Sequence, residues 1–106
     1  MAMKIRGKAD SQTKRIAAAL GGYERLHPDS IIEVYRQNSA CIRIRIIDDS
    51  FQGVGLSDRH DDVWHHLDVL SDEDLSSVSV LLLITPEEAK DSFMNFNFEH
   101  PVRSRL

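Results

Sequence analysis

A chain of 106 residues, 42% apolar and with a single tryptophan, has material for one small domain and one core, which excludes elaborate multi-site catalysis. Its net charge of −4 is unevenly spread: residues 1–15 hold five Lys or Arg against Asp10, leaving −8 on the remainder. An acidic body argues against duplex binding, which needs a basic patch on the domain. Cys41 is the only cysteine, so no intrachain disulfide can form, no apolar run reaches the roughly 18 residues of a membrane span, and a cytoplasmic location is expected.

In chain order, residues 1–10 read as a flexible basic leader. Ser11 can cap a helix over about Gln12–Leu20, with Ile16 and Leu20 on one face and Gly21-Gly22 as its stop. A strand is expected near Ile31–Arg36, then a hairpin turn at "QNSA" and a second strand at "CIRIRII". Strict alternation there puts Ile42, Ile44 and Ile46 on one face and Arg43 and Arg45 on the other. After two glycines a helix runs over about Ser57–Leu67, with Leu56, Val63 and Leu67 as its buried stripe. A helical turn at "SDEDL" precedes a third strand, "VSVLLLI". Thr85-Pro86-Glu87-Glu88 combines a cap, a first-turn proline and a reciprocal acceptor, a specific helix-start signal.

The result is an α+β fold in the order α-β-β-α-β-α, a three-stranded mixed sheet with helices on one face. The other face is expected to carry Tyr35, Arg43, Arg45, Leu81 and Leu83. The domain is assigned to residues 11–92. Residues 93–106 form a C-terminal arm in which Met94, Phe96 and Phe98 alternate, as in an extended segment or a fourth strand. Such an arm can cover the free sheet face, pair with an edge, or dock into a second subunit.

The stretch "IIDDSFQGVGLSDRHDDVWHHL", residues 46–67, carries three of the five histidines. His60 falls on the apolar stripe, so a hydrogen-bonded packing role is expected, while Arg59 can fix a carboxylate or a carbonyl beside the helix start. Asp61/His65 and Asp62/His66 are i,i+4 pairs that supply two metal ligands where zinc needs three or four; a solvated face follows. Gly53 and Gly55 lack the lysine of a phosphate-binding loop. From Asp58 to Asp91 ten acids face Arg59 and Lys90, a local charge that repels phosphate. No nucleophile with a neighbouring base stands out, so no enzyme activity is expected.

Phe51, Gly53, Arg59, His60, Val63, Trp64 and Leu67 stand at the spacing of the Phe-x-Gly, Arg-His and Val-aromatic-Leu signature of the BolA family, which this stretch resembles. "ITPEE", residues 84–88, is similar to that family's Leu-Thr-Pro-Glu-Glu. The resemblance implies a type II KH-like fold and a small adaptor that pairs with monothiol glutaredoxins, sometimes sharing a two-iron two-sulfur cluster. Counted back from Phe51, Cys41 takes the slot of a family histidine, and a thiolate is a soft ligand for iron. The family's other ligand, a histidine opening the third strand, has no counterpart in "SSVSVLLL". The expected function is a non-enzymatic adaptor binding a partner protein through Phe51, Gly53, Arg59 and His60, with Cys41 the one metal-contact candidate. The alternatives are a KH-like nucleic-acid-binding regulator using Arg43 and Arg45, and a homodimer that has lost the family's metal ligands.

Overall fold

The computed structural model describes residues 2–100. One mixed sheet holds four strands in the order β1-β2-β3-β4: β1 (Ala2–Arg6), β2 (Ile31–Arg36), β3 (Ile42–Ile47) and β4 (Val78–Ile84). The expected three-stranded sheet is therefore corrected by one strand, drawn from the leader. Met3 and Ile5 pack against the core, whereas Lys4 is exposed. β1 lies parallel to β2, with Ala2 opposite Ile31 and Arg6 opposite Tyr35. A parallel pair needs a long connection, and α1 (Ser11–Leu26) supplies it. Gly7, at φ +77°, turns the chain out of β1 in a conformation that favours glycine.

Asp10, rather than Ser11, caps α1. Its carboxylate accepts the Thr13 N–H at 2.8 Å, and the Asp10 N–H donates to the Thr13 hydroxyl at 2.9 Å. The helix also runs through Gly21-Gly22 instead of stopping there. Propensity is overridden by packing: a Cβ on Gly22 would lie 3.0 Å from Nδ1 of His66, so the missing side chain lets the second long helix approach. That helix is α2 (Leu56–Leu67), followed by α3 (Asp72–Ser77), α4 (Pro86–Ala89) and α5 (Phe93–Glu99). None of the described helices is long and apolar enough to cross a membrane.

The core lies between the sheet and the pair α1 and α2. Ile16, Leu20 and Tyr23 of α1 and Val63 and Leu67 of α2 bury against Ile32, Val34, Ile42, Ile44 and Ile46. Each fully buried aliphatic side chain contributes roughly 1.5–3 kcal/mol. β3 runs parallel to β4 with Ile44 opposite Leu81 and Ile46 opposite Leu83. Directly opposed residues share a face, so Leu81 and Leu83 belong to the helix side, against their expected place on the outer face.

The outer face, with Glu33, Tyr35 and Arg45, is covered by the C-terminal segment, which is a helix and not the expected extended arm. Ser92 caps α5 by accepting the Asn95 N–H at 3.1 Å. Asn95, Phe98 and Glu99 then fall on one helical face. Phe98 is buried edge-on to Tyr35, and Phe96 points away, 62% exposed. Period-two spacing of aromatics was thus a poor guide, because only one of Phe96 and Phe98 needed burial. Residues 101–106 of the arm and the Met94 side chain lie outside the described residues.

Several carboxylates are held in their charged form by the folded structure. Asp74 receives Nε and Nη2 of Arg15, both at 2.8 Å, and that pairing lowers its pKa. The Thr13 backbone N–H, then Arg36, lower Asp10 to about 2; Arg59 and Arg45 likewise lower Glu88 and Glu99. A depressed folded-state pKa contributes stability that is present above the unfolded pKa and lost as pH falls through the folded one. The urea midpoint is expected to decline from the ordinary carboxylate range near 4 down to about 2, and Arg15→Met is expected to shallow that decline. An unchanged acid limb in Arg15→Met would remove Asp74 from the account.

Candidate partner-binding surface

At the end of β3, Asp48 accepts the Ser50 N–H at 2.9 Å and the Tyr23 hydroxyl at 2.6 Å, starting a short 3-10 turn over Asp49–Phe51. The turn drives Phe51 into the core, where it meets Tyr23 at 6.2 Å between centroids. Gly53, at φ +75°, reverses the chain, and the Val54 N–H returns to the Phe51 carbonyl at 2.9 Å. Gly55 caps α2 without a side chain.

Arg59 fixes this turn to the rest of the domain. It is 5% exposed, and its guanidinium makes five hydrogen bonds: to the carbonyls of Val54 (2.8 Å), Leu83 (3.0 Å) and Phe51 (3.0 Å), and to both Glu88 carboxylate oxygens (2.7 and 3.2 Å). Glu88 also accepts the Thr85 N–H at 2.9 Å, completing the capping box of α4. The glycine turn and the Thr-Pro-Glu-Glu start, separate in sequence, are joined by one buried cation. A planar fork with five donors suits this task, and lysine could not replace it.

Beside that joint lies a groove of about 690 Å³. The glycine turn with Leu56 and His60 forms one wall, the free edge of β4 the floor, and Glu87 and Asp91 the other wall. His60 is exposed, which corrects its expected packing role; the buried stripe of α2 passes through Arg59, Val63 and Leu67 instead. Leu56, expected in that stripe, is 66% exposed because the first turn of α2 overhangs the sheet edge. Of the four expected contact residues, Gly53 and His60 are at the surface and Phe51 and Arg59 are buried beneath it. Leu56, Glu87 and Asp91 were missed; the apolar first turn beside an acidic segment was the signal.

Cys41 is elsewhere. It is partly buried at the start of β3, where Ile42 pairs with Val78, and β3 places it about 20 Å from the glycine turn. Around it are Asn38, whose side chain accepts the Cys41 N–H at 2.9 Å, and the serine-rich start of β4. The five histidines belong to the end of α1, to α2 and to the end of α5. Among the described residues no group of three or more His, Cys, Asp or Glu can hold a metal ion. One thiolate beside hydroxyl and amide oxygens does not fit an iron–sulfur cluster, which takes soft ligands.

Arg43 and Arg45 do not form an open cationic strip. Arg43 donates to Gln37 at 2.7 Å. Arg45, 4% exposed, bonds Glu33 (2.8 Å), Glu99 (2.6 Å) and Asn95 (2.7 Å) beneath α5.

A second cluster, Tyr23, His27, Asp48 and Ser50, has the composition of a nucleophile site without its geometry. Ser50 Oγ and Asp48 Oδ2 both approach the same ring nitrogen of His27, Nδ1, at 3.2 and 3.3 Å, so the ring cannot relay a proton between them. Burial, then the bond to Asp48, push the Tyr23 phenol well above its ordinary pKa. Across the gap His66 meets the Tyr23 ring edge-on at 5.8 Å. Desolvation first, then His65, lower its pKa. Asp61, Asp62 and His65 are exposed, as expected of a solvated helix face. In comparisons with known proteins, no family model, curated protein or solved structure matches the chain.

Proposed function

We propose that this chain is a BolA-like, non-enzymatic adaptor that binds a partner protein through the groove between the first turn of α2 and the edge of β4, with monothiol glutaredoxins as the favoured partner class and the cytoplasm as its setting. The observation that carries the reading is the Arg59 joint, which locks the Phe-x-Gly turn, the end of β4 and the start of α4 into one rigid frame around an open groove. Binding sites are best built on preorganised elements of this kind. The order α1-β2-β3-α2-α3-β4, with β2 antiparallel to β3 and β3 parallel to β4, supports a type II KH-like arrangement. The nucleic-acid alternative is weakened by the engagement of Arg45 under α5 and by the acidic groove wall.

Complex formation is expected without a cluster held by this chain. Co-expression with a monothiol glutaredoxin under anaerobic, iron-replete conditions should give a one-to-one complex by native mass spectrometry. Cys41→Ala should retain it, and Leu56→Asp should weaken it about tenfold or more, as for loss of a central apolar contact. Absence of a complex at tens of micromolar would overturn the partner assignment. A coloured complex lost in Cys41→Ala would restore cluster sharing.

A further inference from the structure

We infer that the outer edge of β4 takes up an extended partner segment of alternating apolar and basic residues as an added strand; this deepens the adaptor reading by naming what the groove binds. The two edges of the sheet are built differently. β1 carries Lys4 and Arg6, charges of the kind that blunt an edge against pairing. β4 is seven residues long, VSVLLLI, with neither a charge nor a proline, and among the described residues no strand lies beyond it.

The backbone of β4 fixes which groups are available. Ile84 turns its carbonyl inward, accepting the Asp48 N–H at 3.0 Å. Alternate residues present their N–H and C=O to opposite edges, so Leu81 and Leu83 present theirs outward. The Leu83 carbonyl is occupied by Arg59 at 3.0 Å. Among the described residues nothing pairs with the Leu81 N–H and C=O or the Leu83 N–H, which can bond a strand of about four or five residues.

The groove walls set the occupant's chemistry. Leu56, 66% exposed, offers an apolar seat for one side chain. Glu88 is engaged by Arg59, but Glu87 and Asp91 are exposed and make no ion pair among the described residues. They complement a cation and repel phosphate. Walls on both sides of the edge admit one strand and obstruct the sheet of a second copy.

The probe is the acetylated, amidated peptide Lys-Val-Arg-Val-Lys, titrated into the full chain and followed by amide chemical shifts and hydrogen exchange. The expected result is slowed exchange at Leu81 and Leu83 by about fivefold or more at saturation, with shifts confined to β4, the first turn of α2 and α4. The double variant Glu87→Lys, Asp91→Lys should weaken binding about tenfold and favour Glu-Val-Glu-Val-Glu instead. A peptide N-methylated at alternate positions, unable to pair, should not bind; because that change is in the peptide, folding of the chain is not at issue. Equal binding of the N-methylated peptide, or no protection at Leu81 and Leu83, overturns strand addition. So does protection of these amides by oligothymidylate in place of the peptide, or by raising the concentration of the chain alone, which would assign the edge to nucleic acid or to a second copy.

The glutaredoxin complex separates the two readings. A complex that perturbs the groove without slowing Leu81 and Leu83 exchange keeps the adaptor and overturns the added strand. Peptide pairing without a glutaredoxin complex keeps the added strand and overturns the favoured partner.

Discussion

Arg59→Met lowers the unfolding free energy by about 3–5 kcal/mol in urea, because three backbone carbonyls lose their donor and each buried group left unsatisfied costs about 1–3 kcal/mol. The side chain is replaced by one of similar length without donors. Three carbonyls, of Phe51, Val54 and Leu83, lose their guanidinium partner, and the Glu88 carboxylate loses its cation. Arg59→Lys keeps the charge but not the fork, and recovers less than half of the loss because one ammonium cannot satisfy acceptors lying in three directions. Glu88→Gln costs far less, about 1 kcal/mol, since its carboxylate stands at the surface and an amide oxygen can still accept from Thr85. A loss below about 1 kcal/mol in Arg59→Met would mean that water replaces the guanidinium and that the frame is not held by this residue.

Arg45→Met costs about 3 kcal/mol and releases α5, seen as faster hydrogen exchange in residues 95–99 before global unfolding. Arg45 is the cation shared by Glu33 and Glu99, and its guanidinium lies 4.9 Å from the Phe98 ring centre. Its removal leaves Glu33, only 15% exposed, with Arg6 at 3.5 Å. The network is imperfect even when intact: among the described residues, Nε of Arg45 and Oε2 of Glu33 make no hydrogen bond. Replacing both partners, Arg45→Met with Glu33→Met, is therefore expected to return to within about 1–2 kcal/mol of the parent, because no orphaned buried charge remains. If the double variant is as unstable as the single one, packing of the arginine stem, and not its charge, holds α5.

The sequence was most readable where local chemistry and burial agree. Alternation at Ile42, Ile44 and Ile46 located β3 and its core face, and Thr85 to Glu88 located α4, because a capping box is complete within four residues. It was least readable where distant partners decide. β1 is five residues whose Met3-Lys4-Ile5-Arg6 alternation is unremarkable until β2 lies beside it. Gly21-Gly22 look like a helix stop until His66 needs the space. In α5, Asn95 and Glu99 have no reason to share a face until Arg45 is found beneath them. The candidate surface divides in the same way. Arg59 was recognisable as a residue that fixes a carboxylate or carbonyl, but its partners on β4 and α4 are 24 and 29 residues away, and the exposure of Leu56 and His60 depends on the edge they overhang.

The outer face of the sheet mixes charged and apolar side chains, Glu33, Arg43 and Arg45 beside Tyr35 and Leu82, and the segment that covers it follows every strand in the chain. The inner core needs only residues up to about Leu83. A nascent chain can therefore close its inner side while the opposite side still waits for α5, and in that interval it presents Tyr35 and Leu82 to water together with the charges of Glu33, Arg43 and Arg45. Partly folded chains aggregate through exposed apolar surface. Charges interleaved with that apolar surface lower the tendency of the half-finished domain to pair with a neighbour before α5 docks.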